Sequence, residues 1–228
     1  MTSVAPSIML FAAGFGTRMG ALTKTCPKPL IKVAGEALVD HTLKLTRGIP
    51  HTNIVANTHY LPDMMCDHLQ PLGVQVSHEY PEILETGGGL RAALPMLDTN
   101  PVITMNTDAI WAGPNPLSLL LENWDPDRMD ALLTCVPVAQ AVGHNGPGDF
   151  TANDSGQITR GPGLVYGGVQ ILKTDMLDAI PEKSFSLNVL WDQMMDRGTL
   201  HATPYPGRWC DVGHPEGIKL AEDLLADV

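Results

Sequence analysis

A chain of 228 residues, 44% hydrophobic and 17% charged, carries enough apolar surface to build a core and too little charge to stay disordered, and one domain over 1–228 is expected. Its formal net charge of -11 argues against nucleic acid as a partner, since a phosphate polymer needs a basic face. The longest apolar run, Ile8 to Phe15, is too short to span a membrane, and Met1 to Ser7 lacks the basic region of a secretory signal, so no membrane partner is expected and the cytoplasm is the expected compartment.

In chain order, the apolar run Ile8–Ala13 predicts a strand, Ala37–Arg47 a helix, Asn53–Thr58 a strand, Pro62–Leu69 a helix, and Val74–His78 a strand. The pattern continues with a helix at Gly88–Leu97, a strand at Val102–Asn106, a helix at Pro116–Asn123 and a strand at Ala131–Val138. Gly143–Gly163, rich in Gly, Pro, Asn and Asp, reads as a long surface excursion. Strand Val165–Leu172, helix Leu187–Arg197, strand Leu200–Thr203 and helix Pro215–Ala226 close the chain. Such alternation predicts an α/β class, a Rossmann-like three-layer α/β/α domain with a mostly parallel mixed sheet of about seven strands. Cys26, Cys66, Cys135 and Cys210 form no CxxC pair, and His59, Cys66 and His68 match no zinc spacing, so reduced thiols are expected.

In a sheet of this kind ligands collect at the carboxyl ends of the strands, and the turn after the first strand is the usual phosphate site. Here that turn is FAAGFGTRMG, residues 11 to 20. Its glycines allow the backbone to wrap phosphate oxygens. Met19 stands where a dinucleotide fingerprint has its third glycine, and no Gly-Lys-Ser/Thr follows, so an NAD-dependent dehydrogenase and a P-loop protein both lose ground. Residues 1 to 35 carry Arg18, Lys24, Lys28 and Lys32 and no Asp or Glu, an island of positive charge in an acidic chain. Lys28 lies between Pro27 and Pro29, whose rings restrict the backbone on either side, and a lysine held in that way suits a fixed anion.

The stretch LFAAGFGTRMGALTKTCPKPLIKVAGEAL, with its GxGTR-M, PKPL and V-x-G elements, resembles the sugar-phosphate nucleotidyltransferases. Weaker echoes run through NTHYL at 57–61, ETGGGLRAAL at 85–94, NTDA at 106–109, YGGVQIL at 166–172 and RWCDVGHPE at 208–216. Within that family the chain is most similar to the N-acetylmuramate 1-phosphate uridylyltransferases of peptidoglycan recycling. GTP-dependent mannose or heptose 1-phosphate guanylyltransferases share the frame, and a catalytically silent sugar-nucleotide-binding regulator is the alternative of another class. The resemblance implies the nucleotide-diphospho-sugar transferase fold, with a nucleoside triphosphate and a sugar 1-phosphate as partners. It leaves open whether the protein is a monomer or a homo-oligomer.

It also implies site roles. Arg18 grips the triphosphate and the departing pyrophosphate, Lys28 bridges the attacking and α-phosphates, and Asp108 and Asp211 hold Mg²⁺. Ala12, Ala13, Gly14, Gly16 and Thr17 form the nucleotide loop with backbone donors, Asn57 lines the same pocket, and Tyr166 and Gly168 face the sugar. Gly87 and Gly88 read as a close approach of backbone to a flat base, or as a break before a helix capped by Thr86. Some departures stand out: a V-E-K-P segment found in larger relatives is missing, with Arg160 a candidate stand-in for its lysine. NTDA replaces NGD, DVGHP replaces DxGTP, and Ala37 replaces a proline.

Overall fold

Side-chain alternation in the first strand decides the layering. In β1 (Ser7–Phe11), Ile8 and Leu10 enter one core and Met9 the other, so the strand must be covered on both faces. The computed structural model describes residues 5–227; Met1 to Val4, part of the N-terminal stretch read above, and Val228 lie outside the described residues. After β1 come the two-residue hairpin strands β2 (Lys32–Val33) and β3 (Glu36–Ala37), then α1 (Leu38–Leu45), β4 (Ile54–Thr58), α2 (Pro62–Leu69) and β5 (Gln75–His78). Next are α3 (Glu85–Leu97), β6 (Val102–Asn106), β7 (Ala109–Ala112), α4 (Pro116–Asn123), β8 (Ala131–Pro137) and β9 (Ala141–Val142). The chain ends with β10 (Phe150–Ala152), β11 (Ile158–Arg160), β12 (Leu164–Leu172), α5 (Leu187–Asp196), β13 (Leu200–Pro204), β14 (Arg208–Asp211) and α6 (Pro215–Ala226).

Among the described residues the main sheet runs β13-β8-β12-β6-β1-β4-β5, with the β10–β11 hairpin beside the start of β12. These seven are the strands expected from the sequence. β1 is parallel to β4 and β6, while β12 is antiparallel to its neighbours β6 and β8, so the sheet is mixed. On one face α3 and α5 bring Leu90, Ala93, Leu97, Leu190 and Trp191; on the other α2 and α4 bring Met65, Leu69, Leu117 and Leu120. A small second sheet, β7-β14-β9, packs with α6 through Ile110, Cys210, Val212 and Leu224. Gly143–Gly163 is not a bare excursion, because it contains β10 and β11; strands of three residues are too short to show a periodic signal. Among the described residues no helix is long and apolar enough to cross a membrane.

Two pairings position the site. Phe11 and Asn106 are partners at the carboxyl ends of the adjacent parallel strands β1 and β6, and the Thr107 hydroxyl donates to the Phe11 carbonyl at 2.7 Å. Antiparallel pairing of β14 with β7 places Asp211 opposite Ala109, and the Val212 N–H donates to the Asp108 carbonyl at 2.8 Å.

The glycines of ETGGG need a different explanation from a flat base. Gly87 and Gly88 lie inside α3 and are buried, and both N–H groups donate to the Phe185 carbonyl. A Cβ on Gly87 would come 2.3 Å from the Phe185 ring, and one on Gly88 2.5 Å from the Lys183 carbonyl. These glycines therefore let the 183–185 backbone dock on the helix. The Thr86 cap is corrected too: the helix begins at Glu85, and Thr86 Oγ1 accepts from the Leu187 N–H at 3.0 Å. Arg91 lies over the Phe185 ring, 4.8 Å from its centroid, and limits its retreat. Gly87→Ala should lower stability, because overpacking costs about 1–3 kcal/mol while the helix gains at most about 1 kcal/mol. Thermal unfolding checks this, and a raised midpoint would mean that the ring moves freely.

Candidate active site

The glycine loop and the lysine are built around one another. Gly16 has φ +63°, and a Cβ there would fall 2.8 Å from Cβ of Lys28, so the glycine lets the lysine stem pass. The Thr23 hydroxyl donates to the Gly16 carbonyl at 3.1 Å and ties the loop to the following 3-10 turn, Thr17–Thr23. Met19 is buried there with Ile31, Val33 and Leu38, so the position that a dinucleotide fold keeps as glycine is a core anchor.

Lys28 is only 9% exposed, and its Nζ donates to Asp108 Oδ2 at 2.7 Å. Asp211 arrives from the other side on β14. Burial, and next the charge of Asp108, hold its carboxyl above the usual aspartate range, with Lys28, Arg18 and His214 pulling it back. A Cβ on Gly213 would fall 2.6 Å from Asp211 Oδ2 and 3.1 Å from Arg18 Nη1, so both groups converge over that glycine. Residues about a hundred positions apart thus form one cluster of two carboxylates and two cations. Among the described residues no group of three or more His, Cys, Asp or Glu is gathered for a metal. The two carboxylates offer hard oxygens alone, which fits a divalent ion that completes its shell with phosphate oxygens and water.

Three cavities of about 220, 230 and 270 Å³ share Phe11 as a common wall. Each is smaller than the ~300 Å³ lower range of ligand pockets, but as one groove they exceed it. The first is lined by Ala12, Gly14, Gly16, Thr17, Arg18, Lys28, Asp108 and Gly213. The second is lined by Ala13, Gly14, Asn57, Ile83, Glu85, Thr86, Asn106 and Asp108; Gly87 and Gly88 do not line it. The Ala12 N–H is already bound to Asn57 Oδ1 at 2.8 Å, so it is not among the amides left for phosphate. Asn57 in turn donates to Glu79 Oε1 at 2.7 Å, and Glu79 Oε2 accepts the Leu84 N–H at 2.7 Å. This buried carboxylate, 2% exposed, orients the Asn57 amide and had no sequence signal. His59 stands apart, bonded to the Glu79 carbonyl and edge-on to Phe15.

The third cavity contains Tyr166 with Asp149, Phe150, Arg160, Asn188 and Trp191. Gly168 does not line it: φ is +88° at a bulge in β12, where a Cβ would fall 2.9 Å from Asn106 Cβ, so it lets the strand pass close to Asn106. Arg160, the candidate stand-in for the missing lysine, is on this wall and does not line the cavity that holds Lys28. Asn106, Thr107, Gly213, Glu85 and Thr86 lie in the quoted NTDA, DVGHP and ETGGG stretches, whereas Ile83 comes forward only through the docking of α3.

Residues 8–151 match the family described as the MobA-like NTP transferase domain. The N-acetylmuramate alpha-1-phosphate uridylyltransferase of Caulobacter vibrioides is 36% identical, over 99% of this chain and 99% of that protein. The protein of the same name from Neisseria meningitidis serogroup B is 32% identical, over 95% and 96%. A mannose-1-phosphate guanylyltransferase catalytic subunit beta from Dictyostelium discoideum is 27% identical over 91% of this chain, which spans 61% of that longer protein. Among solved structures, a putative glucose-1-phosphate thymidylyltransferase from Bacillus anthracis superposes with a TM-score of 0.79 at 17% identity, covering 97% of this chain and 96% of that one, a likeness of fold.

Crowding of Asp211 against Asp108 has a measurable cost. A carboxyl held above its unfolded value binds its proton more tightly in the folded chain, so its contribution to stability is full below the unfolded pKa and is lost as pH rises through the folded one. At pH 7 the ionised Asp211 therefore weakens the metal-free fold. Asp211→Asn should raise the metal-free Tm at pH 7, with a gap that narrows on acidification. An equal or lower Tm would show that Arg18 and Lys28 fully offset the crowding.

Proposed function

Because the chain belongs to the family of MobA-like NTP transferase domains and is a sugar 1-phosphate nucleotidyltransferase, we propose that it transfers UMP from UTP to N-acetylmuramate 1-phosphate, with Mg²⁺, forming the nucleotide sugar and pyrophosphate. We propose too that residues 1–228 act as one nucleotidyltransferase domain in the cytoplasm. The observation that carries the reaction is the convergence of Arg18, Lys28, Asp108 and Asp211 on one side of the glycine loop.

In-line attack by a sugar-phosphate oxygen on the α-phosphorus brings two anions together, so positioning and charge neutralisation supply the catalysis and no protein nucleophile is required. Gly14, Gly16 and Thr17 offer the turn that receives the phosphates. Lys28 leaves Asp108 to hold the attacking and α-phosphates, and Arg18 spreads its fork over the departing pyrophosphate. Asp108 and Asp211 would hold the magnesium ion, which neutralises phosphate charge when bound. Ala13, Asn57, Glu85 and Thr86 surround the second cavity, where the nucleoside fits, and Tyr166 and Asp149 stand on the wall of the third, where the sugar fits.

A pyrophosphate-release assay of four nucleoside triphosphates against N-acetylmuramate, mannose and heptose 1-phosphates tests the reading. The highest kcat/KM is expected for UTP with N-acetylmuramate 1-phosphate; a preference for GTP with mannose or heptose 1-phosphate would replace it with a guanylyltransferase. In the same assay Lys28→Met should lower kcat about a hundredfold or more, the loss typical of one preorganised charge. Near-normal turnover with unchanged circular dichroism would remove Lys28 from the chemistry.

A further inference from the structure

We infer that Arg160 recognises a carboxylate carried on the sugar, so that it sets specificity instead of joining the phosphate chemistry. The inference rests on the proposed acceptor, since the lactyl ether of N-acetylmuramate bears that carboxylate and the parent N-acetylglucosamine does not.

Location comes first. Arg160 ends β11 and lines the third cavity, which meets the second through Phe11, Thr86 and Asn106. A sugar joined to a phosphate in the first two cavities therefore extends toward it. Among the described residues Arg160 is the one cation on that wall, whereas Arg18 and Lys28 line the first cavity. A group meant for the sugar phosphate would stand with those two.

Preorganisation is the second argument. The guanidinium lies 4.9 Å from the Phe150 centroid and 5.8 Å from that of Trp191, so two aromatic faces fix its plane. Nη2 donates to Asn188 Oδ1 and Asp192 Oδ1, each at 2.8 Å, and Nε reaches Asp192 Oδ1 at 3.3 Å. Nη1 has no hydrogen-bond partner among the described residues. A guanidinium held by one edge with another donor spare is arranged to accept a further oxygen.

Charge is the third. Asp149 lines the same cavity and accepts the Tyr166 N–H at 2.9 Å, and Asp192 lies behind Arg160. Without the arginine these carboxylates would repel an acidic sugar and leave a neutral one little affected. The ion pair with Asp192 is exposed, its side chains 42% and 60% accessible, so it contributes little to folding and does not account for the position of Arg160 on the cavity wall.

The test compares wild type, Arg160→Met and Arg160→Lys on N-acetylmuramate 1-phosphate and N-acetylglucosamine 1-phosphate with the preferred triphosphate. Binding is read as KM or, where turnover is slow, as a competitive inhibition constant. Methionine keeps an unbranched stem on the two rings, and lysine keeps the charge but loses the fork. The preference of wild type for the acidic sugar should fall tenfold or more in Arg160→Met and fall between the two in Arg160→Lys. Equal weakening for both sugars would put Arg160 on the phosphate or in the fold, and an unchanged ratio would make it idle; either overturns the inference alone. Wild type that does not use N-acetylmuramate 1-phosphate overturns the proposed substrate, and the inference with it.

Discussion

Two carboxylates held against each other in a half-buried corner are the constraint around which the rest of the molecule is arranged. Asp108 repels Asp211, and burial adds to the cost of the Asp211 charge, so the corner is tolerated only with cations at hand. Lys28 supplies one at hydrogen-bond distance from Asp108, and Arg18 another beside Gly213. Neither aspartate is free to relax, because the β7–β14 pairing and the Val212-to-Asp108 hydrogen bond fix the backbone under both. Stability is given up at this place in a way that a polyphosphate and its counter-ion would relieve.

Rigidity around that corner comes from small residues and hydrogen bonds spread across the chain. Gly16 lets the Lys28 stem pass, Gly213 lets Arg18 lie beside Asp211, and Gly168 lets β12 reach Asn106. Asn57 and Glu79 fasten the start of the glycine loop to β4 and to the turn before α3. Phe11 then stands between three cavities whose remaining walls come from separate elements. Side chains on such strand ends and tied loops hold their geometry better than side chains on free loops, which suits a reaction whose acceleration comes from placing charges.

Much of this architecture is legible along the chain where a run is long enough to repeat its pattern. Val102–Asn106 and Pro62–Leu69 fall where the sequence expects them, because an apolar strand or a proline-started amphipathic helix has its own signal. β7, β9 and β14 span two to four residues and exist only as partners of each other, which no local pattern reports. Arg18, Lys28, Asp108 and Asp211, which the fold brings together, each sit in a quoted motif. Gly87 and Gly88 misled because a missing side chain looks the same whether its neighbour is a nucleobase or Phe185. Glu79 was invisible, since its importance depends on Asn57, 22 positions away.

The groove also divides its work between the stable centre of the sheet and its edge. The charged cluster grows from β1 and β6, central strands paired on both sides, and from β14, which is paired with β7 and β9. The third cavity adds to the ends of β1 and β6 and to β12 a wall from the β10–β11 hairpin and the start of α5, with β11 at the end of the sheet path. An edge hairpin can change length or side chains without moving the strands beneath the charges, whereas a change in β1 or β6 would shift Arg18 and Asp108 together. On that reasoning the acceptor sugar is the part of the proposed reaction that this scaffold can alter at least cost to catalysis, and the residues that choose it belong on the edge, where Arg160 stands.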